Sequence, residues 1–243
     1  MSLKIKNKYS PNFDLKKRKN KDIDFLIFHY TGMRNEESAI KKLTSYKSEV
    51  SCHYFIKKNG EILNLVPDLY TAWHAGVSNW KGLKSLNKYS IGIEINNPGH
   101  DHKYRKFSSK QTVSLIKLLR FLLKKYNIKK KNVLGHSDIS PDRKKDPGEK
   151  FPWKKLAKMN LCSWHNLNED KIKRFRNLSL SKFEEKIFLK NLYSLGYSKI
   201  IGSQYNQKKI NLVNSFQRKF RQNLINGKID QECLLISKSL IKL

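Results

Sequence analysis

The apolar stretches of this chain are short, and several run directly into a residue able to do chemistry. Residues 23–28 (IDFLIF) are β-branched and aromatic and close on His29-Tyr30-Thr31-Gly32, where the chain must turn. Such a run suits a buried strand. Residues 90–95 (SIGIEI) form a second run, closing at Asn96-Asn97-Pro98-Gly99, and residues 132–134 a third, delivering Gly135-His136. Residues 53–56 and 61–66 read as two strands joined at Asn59-Gly60, a favoured hairpin dipeptide. Residues 36–46 read as a short helix. Ser108-x-x-Gln111 is a capping box before a long one, striped by Val113, Ile116, Leu119 and Leu123 and widened by Leu115, Leu118 and Leu122. Strands and helices alternate loosely around one hairpin. The fold class expected is therefore α/β, a mixed central sheet flanked by helices, rather than a strict doubly wound fold.

The remaining segments differ in character. Residues 1–21 are polar and basic, an arm before the main domain at 22–160. Residues 161–177 are expected to be a linker. Residues 178–243 hold three short helical stripes: Phe183, Ile187, Phe188 and Leu192; Ile210, Val213, Phe216 and Phe220; and residues 234–240 behind an Asp230 cap. They read as a small bundle with a role in binding rather than chemistry.

Charge offers a competing clue. With 51 Lys+Arg against 20 Asp+Glu, the formal net charge is +31. That balance fits a nucleic-acid surface. It equally fits a composition bias, because the basic residues are mostly Lys and are spread along the whole chain. No zinc-finger spacing, and no helix interleaving aromatics with Arg, supports the first reading, so no nucleic-acid partner is expected. No run reaches the length of a membrane span. The start, MSLKIKNKYSPNF, lacks the apolar region of a secretory signal. Three widely spaced cysteines, Cys52, Cys162 and Cys233, form neither a disulfide framework nor a metal knuckle.

Seven histidines are present, and two of them, His29 and His136, follow strand-like runs. Side chains at strand ends can converge on one rim of a sheet, and Asp146, in an Asp-Pro-Gly turn, could reach the same rim. Two imidazoles and a carboxylate with room for water form a catalytic zinc pattern. Spacing alone leaves two other readings open: hydrogen-bonded strand-end histidines, and an aspartate that serves only its turn.

Five segments carry a resemblance: HYTG (29–32), SCHYFI (51–56), AWHAGVSNW (72–80), SIGIEI (90–95) and GHSDISPDRKKDPG (135–148), the last followed by Phe151-Pro152-Trp153. Over about residues 9–156 the chain resembles the type-2 N-acetylmuramoyl-L-alanine amidases, zinc enzymes that cut peptidoglycan. The resemblance implies one zinc ion held by His29, His136 and Asp146. It implies Glu94 as the catalytic carboxylate and Lys144 as the oxyanion-stabilising lysine. His53, Trp73, His74 and Asn87 would line or touch the substrate site, His53 more as support beneath it. Where some members carry a catalytic Tyr before the His53 position this chain has Cys52, which places it with the Glu-using branch. His100, His102 and His165 have no motif around them and are expected at the surface. The bundle is similar to a three-helix peptidoglycan-binding domain, through Leu192 to Tyr197, Val213 to Arg221 and Asn226 to Asp230.

The resemblance implies a hydrolase acting on the linear amide between the N-acetylmuramoyl lactyl group and L-alanine, in peptidoglycan or muropeptides. The alternative is a recognition protein that binds without cutting. A monomer is expected. The missing signal points to the cytoplasm, and the substrate and binding domain to the cell envelope.

Overall fold

In a computed structural model, residues 3–242 are described; Met1, Ser2 and Leu243, the outer ends of the arm and of the helical unit, lie outside the described residues. Six strands form one mixed sheet: β1 (Ile5–Asn7), β2 (Phe25–Tyr30), β3 (Tyr54–Ile56), β4 (Ile62–Asn64), β5 (Ser90–Ile95) and β6 (Val133–Gly135). Their order is β1-β4-β3-β5-β2-β6. The helices are α1 (Glu36–Leu43), α2 (Ser109–Lys125), α3 (His136–Ile139), α4 (Trp153–Lys158), α5 (Glu169–Ile172), α6 (Lys182–Leu195), α7 (Tyr205–Phe220) and α8 (Gln231–Ile241).

β3 and β4 are the expected hairpin, and β3, β5, β2 and β6 run parallel. Parallel strands release the chain at one edge of a sheet, where α/β proteins place their sites. Register puts His29 on β2 directly beside Glu94 on β5, while β6 ends with Gly135 opposite Phe28.

Side chains alternate between the two faces of a strand. Leu26 and Phe28 of β2 pack with Ile91 and Ile93 of β5 against Leu115, Leu118, Leu119 and Leu122 of α2 and Trp153 of α4. Ser108 and Gln111 close the capping box at the start of α2. Val113 lies outside the buried stripe and is exposed. On the opposite face Phe25, Ile27 and Leu134 meet Phe188 and Leu192 of α6 and Val213 and Phe216 of α7. Farther along that face, Ala39, Ile40 and Leu43 of α1 cover Phe55 and Leu63. His29 and Glu94 sit on this second face, between the two coverings.

Three sequence expectations are corrected. The arm is built into the fold: β1 adds an edge strand parallel to β4, and Phe13 and Asp14 pair with Ala72 and Thr71. The 161–177 segment is packed rather than loose, with Leu161, Cys162 and Ile172 buried and α5 inside it. The C-terminal helices share one apolar cluster with the sheet, and of their expected stripes Phe183 and Ile210 are exposed.

Candidate metal centre and active-site cleft

β2, α3 and the loop before Pro147 bring three ligand atoms together. His29 Nδ1 lies 2.9 Å from His136 Nδ1 and 3.0 Å from Asp146 Oδ2, and the latter two are 3.1 Å apart. All three residues are buried. Their other polar atoms decide what this triangle means. His136 Nε2 donates to the Ala75 carbonyl at 3.0 Å. His29 Nε2 lies 3.1 Å from His74 Nδ1, and His74 Nε2 lies 3.3 Å from Ser90 Oγ, whose hydroxyl donates to the Leu86 carbonyl at 2.6 Å. Read outward from Leu86, the chain assigns the protons: His74 carries its own on Nε2, and so does His29. Each ligand imidazole therefore turns a lone pair on Nδ1 toward the carboxylate.

Three acceptor atoms within about 3 Å repel unless a cation sits among them. A tetrahedral zinc with ligands at about 2.0–2.1 Å needs neighbouring ligand atoms about 3.3 Å apart, so the donor set and its spacing fit a zinc ion. Burial lowers His29 to about 4, so its imidazole is neutral, as a ligand must be.

A cleft of about 470 Å³ opens over the triangle, lined by Tyr30, Trp73, His74, Glu94, Lys144 and the three ligand residues, among others. Glu94 Oε2 is buried without a hydrogen-bond partner. Burial, with the Asp146 charge adding to it, raises this carboxyl to about 8, against the pull of Lys144 and Lys42. A carboxyl poised to take and return a proton near neutrality suits general acid–base work. Lys144 follows Ser140 through a backbone hydrogen bond of 3.0 Å, in the turn that leads to Asp146.

Two of the four residues expected to line or touch the substrate site, His53 and Asn87, stand behind the cleft wall. His53 is fully buried: Gly92 N–H donates to its Nδ1 at 3.0 Å, and its Nε2 meets the Tyr70 carbonyl at 3.0 Å. It supports β5 from beneath. Asn87 Oδ1 accepts from the backbone N–H groups of His74 and Ala75, at 3.1 and 2.7 Å, and so holds the loop rather than facing the cleft. Trp73 and His74 do line the cleft, but both His74 nitrogens are committed within the protein. His74 lies flat on β5 because residue 92 is Gly; a Cβ there would fall 2.3 Å from its ring.

Other supports were not visible in the motifs. Arg143 donates to the Val77 carbonyl at 2.6 Å and clamps the loop next to Ala75. Arg18, from the arm, donates to the carbonyls of Asp68 and Asn87 at 2.8 and 2.9 Å. Among histidines read as surface, His100 bridges Tyr30 and Glu149, and His165 is buried and stacked on Trp164.

The family model for N-acetylmuramoyl-L-alanine amidase matches residues 19–149. The chain belongs to this amidase family. It is 32% identical over 232 residues to the N-acetylmuramoyl-L-alanine amidase AmiD of Escherichia coli K12, covering 90% of this chain and 83% of AmiD. It is 36% identical over 165 residues to the 1,6-anhydro-N-acetylmuramyl-L-alanine amidase AmpD of Haemophilus influenzae, covering 60% of this chain and 86% of that one. Among solved structures, E. coli AmiD in complex with the substrate anhydro-N-acetylmuramic acid-L-Ala-D-gamma-Glu-L-Lys superposes with a TM-score of 0.80, covering 91% of this chain and 89% of AmiD at 32% identity. AMPDH3 of Pseudomonas aeruginosa superposes with a TM-score of 0.79 at 29% identity and covers 96% of each chain. Among the described residues of this amidase, no helix is long and apolar enough to cross a membrane.

Proposed function

We propose that the chain is a zinc-dependent N-acetylmuramoyl-L-alanine amidase that hydrolyses the amide joining the lactyl group of N-acetylmuramic acid to L-alanine in muropeptides. The observation that carries this reading is the triangle of His29, His136 and Asp146 beneath a cleft that also holds Glu94 and Lys144. When bound, zinc supplies Lewis-acid polarisation of the scissile carbonyl and acidifies water toward a pKa of about 7.

The chain's own residues supply the rest. Glu94, beside His29 across the strand pair, takes a proton from the attacking water and returns it to the leaving amine of L-alanine. Lys144 places a positive charge on the cleft wall, where negative charge develops on the carbonyl oxygen. Trp73 offers a half-buried aromatic face at the mouth, its Nε1 donating to Asp14 at 2.8 Å. The presence of both Glu94 and Lys144 favours a catalyst over a recognition module that binds without cutting.

The substrates named for AmiD and AmpD carry an anhydro sugar, and this supports the soluble anhydro-muropeptide as a substrate of this chain. The test is to incubate zinc-loaded protein with anhydro-muropeptide and with intact sacculi and count new L-alanine amino termini. Release that stops on chelation and returns with zinc is expected. Full-rate release after exhaustive chelation, or binding to sacculi without release, would overturn the reading.

A further inference from the structure

α7 reaches the metal-ligand turn with side chains that no part of the proposed chemistry uses. Lys219 is buried, and its Nζ donates to the Val133 carbonyl at 3.0 Å and to Asp138 Oδ2 at 3.1 Å. Asp138 Oδ2 also accepts the Gly135 N–H at 2.8 Å, and its Oδ1 accepts the Tyr197 hydroxyl at 2.7 Å. One helical turn before Lys219, Ser215 donates to the Ser137 carbonyl at 2.7 Å. Positions i and i+4 share a helix face, so α7 presents Ser215 and Lys219 together, and Tyr197 joins them just beyond α6.

These contacts all fall on residues 133–138, the segment that carries His136. Val133 is held by its carbonyl, Gly135 by its N–H through Asp138, and Ser137 by its carbonyl. The Ser137 N–H in turn donates to the Asp146 carbonyl at 2.9 Å. Two of the three ligand positions are thus tied to one another and, through Asp138 and Ser137, to the C-terminal helices. The Asp138 carboxylate is fully partnered, so its charge is compensated inside the protein and it acts as a rigid strut.

We infer that Lys219, Tyr197 and Ser215 are positioning residues: the C-terminal helical unit sets the geometry of the metal-ligand turn, in addition to any part it plays in holding polymer. The inference rests on the reading of His29, His136 and Asp146 as a metal centre. Partners that orient metal ligands from outside the coordination sphere commonly account for 10–100-fold in metal affinity or activity.

The experiment measures the zinc dissociation constant of the metal-free full chain by competition with a chromophoric chelator, alongside kcat, KM and thermal unfolding. Lys219→Met should weaken zinc binding by about 10–100-fold and lower kcat with little change in KM. Tyr197→Phe and Ser215→Ala should move in the same direction by less. Phe188→Leu, an apolar change in the same interface that removes no hydrogen bond to residues 133–138, should lower the unfolding temperature and leave zinc affinity unchanged. Wild-type affinity in Lys219→Met would overturn the inference, as would an equal loss in Phe188→Leu. If Lys219→Met fails to fold, Tyr197→Phe and Ser215→Ala decide by the same readout, since each removes one hydroxyl. A wild-type chain that bound no zinc would instead overturn the metal-centre reading itself.

Discussion

Asp138 and Asp146 are both buried, at 1% and 6% exposure, and both stand close to His136, yet their surroundings are opposites. Asp138 is surrounded by donors: the Gly135 N–H, the Lys219 ammonium and the Tyr197 hydroxyl. Asp146 faces two imidazoles whose other nitrogens already hold the protons, so only a shared cation reconciles the three atoms. A carboxylate with every partner supplied by the chain builds structure, and one whose partner must come from outside marks a site. Removing Asp146 should therefore strike chemistry, and removing a partner of Asp138 should strike stability first.

The largest effect on turnover tests the first half. Asp146→Ala should lose zinc and reduce turnover to background, measured by metal content after gel filtration and by L-alanine termini released. The cooperative unfolding transition should persist. Lys219→Met, which leaves the buried Asp138 charge without its ammonium partner, should cost about 3–5 kcal/mol of stability by denaturant unfolding, beyond its partial effect on zinc. Similar losses of stability in both variants would erase the distinction.

Glu94 is the intermediate case, a half-buried carboxyl with one oxygen that is buried without a partner among the described residues. Glu94→Gln should keep zinc and lose about 10²–10⁴-fold in kcat; normal turnover would remove it from the proposed role. Its titration gives a second measure on metal-free protein. Because the folded value is raised from 4.5 to about 8, the folded chain holds a proton that the unfolded chain releases, and stability falls as pH rises through that window. Glu94→Gln resembles the protonated form and escapes this loss. Its stability relative to wild type should climb from pH 5 to pH 8 by up to roughly 4 kcal/mol. A difference that stays constant with pH would contradict the raised carboxyl.

The same distinction explains what could be read from the sequence. β2, β5 and β6 were legible because fully buried strands are continuous apolar runs, and His29 and His136 sit where two of those runs stop. The hairpin was legible from Asn59-Gly60, and α2 from its capping box. β1 was not, since two of its three residues are exposed at a sheet edge and its stability comes from pairing with β4. Lys219 resembled the many other lysines; only the docking of α7 on the sheet buries it. The stripes of α6 and α7 told that one face of each is covered, and not that the sheet covers it. Pairing partners for His53 and His74 were invisible for the same reason: hydrogen bonds across tens of residues leave no periodicity.

His74 offers the finest division between chemistry and support. As a substrate contact it would act through KM. The structure instead uses its Nδ1 to receive the His29 proton and its Nε2 to reach Ser90, so its effect should pass through the metal. His74→Phe keeps an aromatic ring over Gly92 and removes both nitrogens, freeing His29 to adopt the other tautomer and turn its proton toward the ligand triangle. Zinc affinity should fall by about 10–100-fold, with kcat at limiting zinc falling in step. At saturating zinc much of the activity should return, with KM for anhydro-muropeptide close to that of wild type. A raised KM at saturating zinc, with unchanged metal affinity, would return His74 to the substrate and leave His29 oriented by its strand alone.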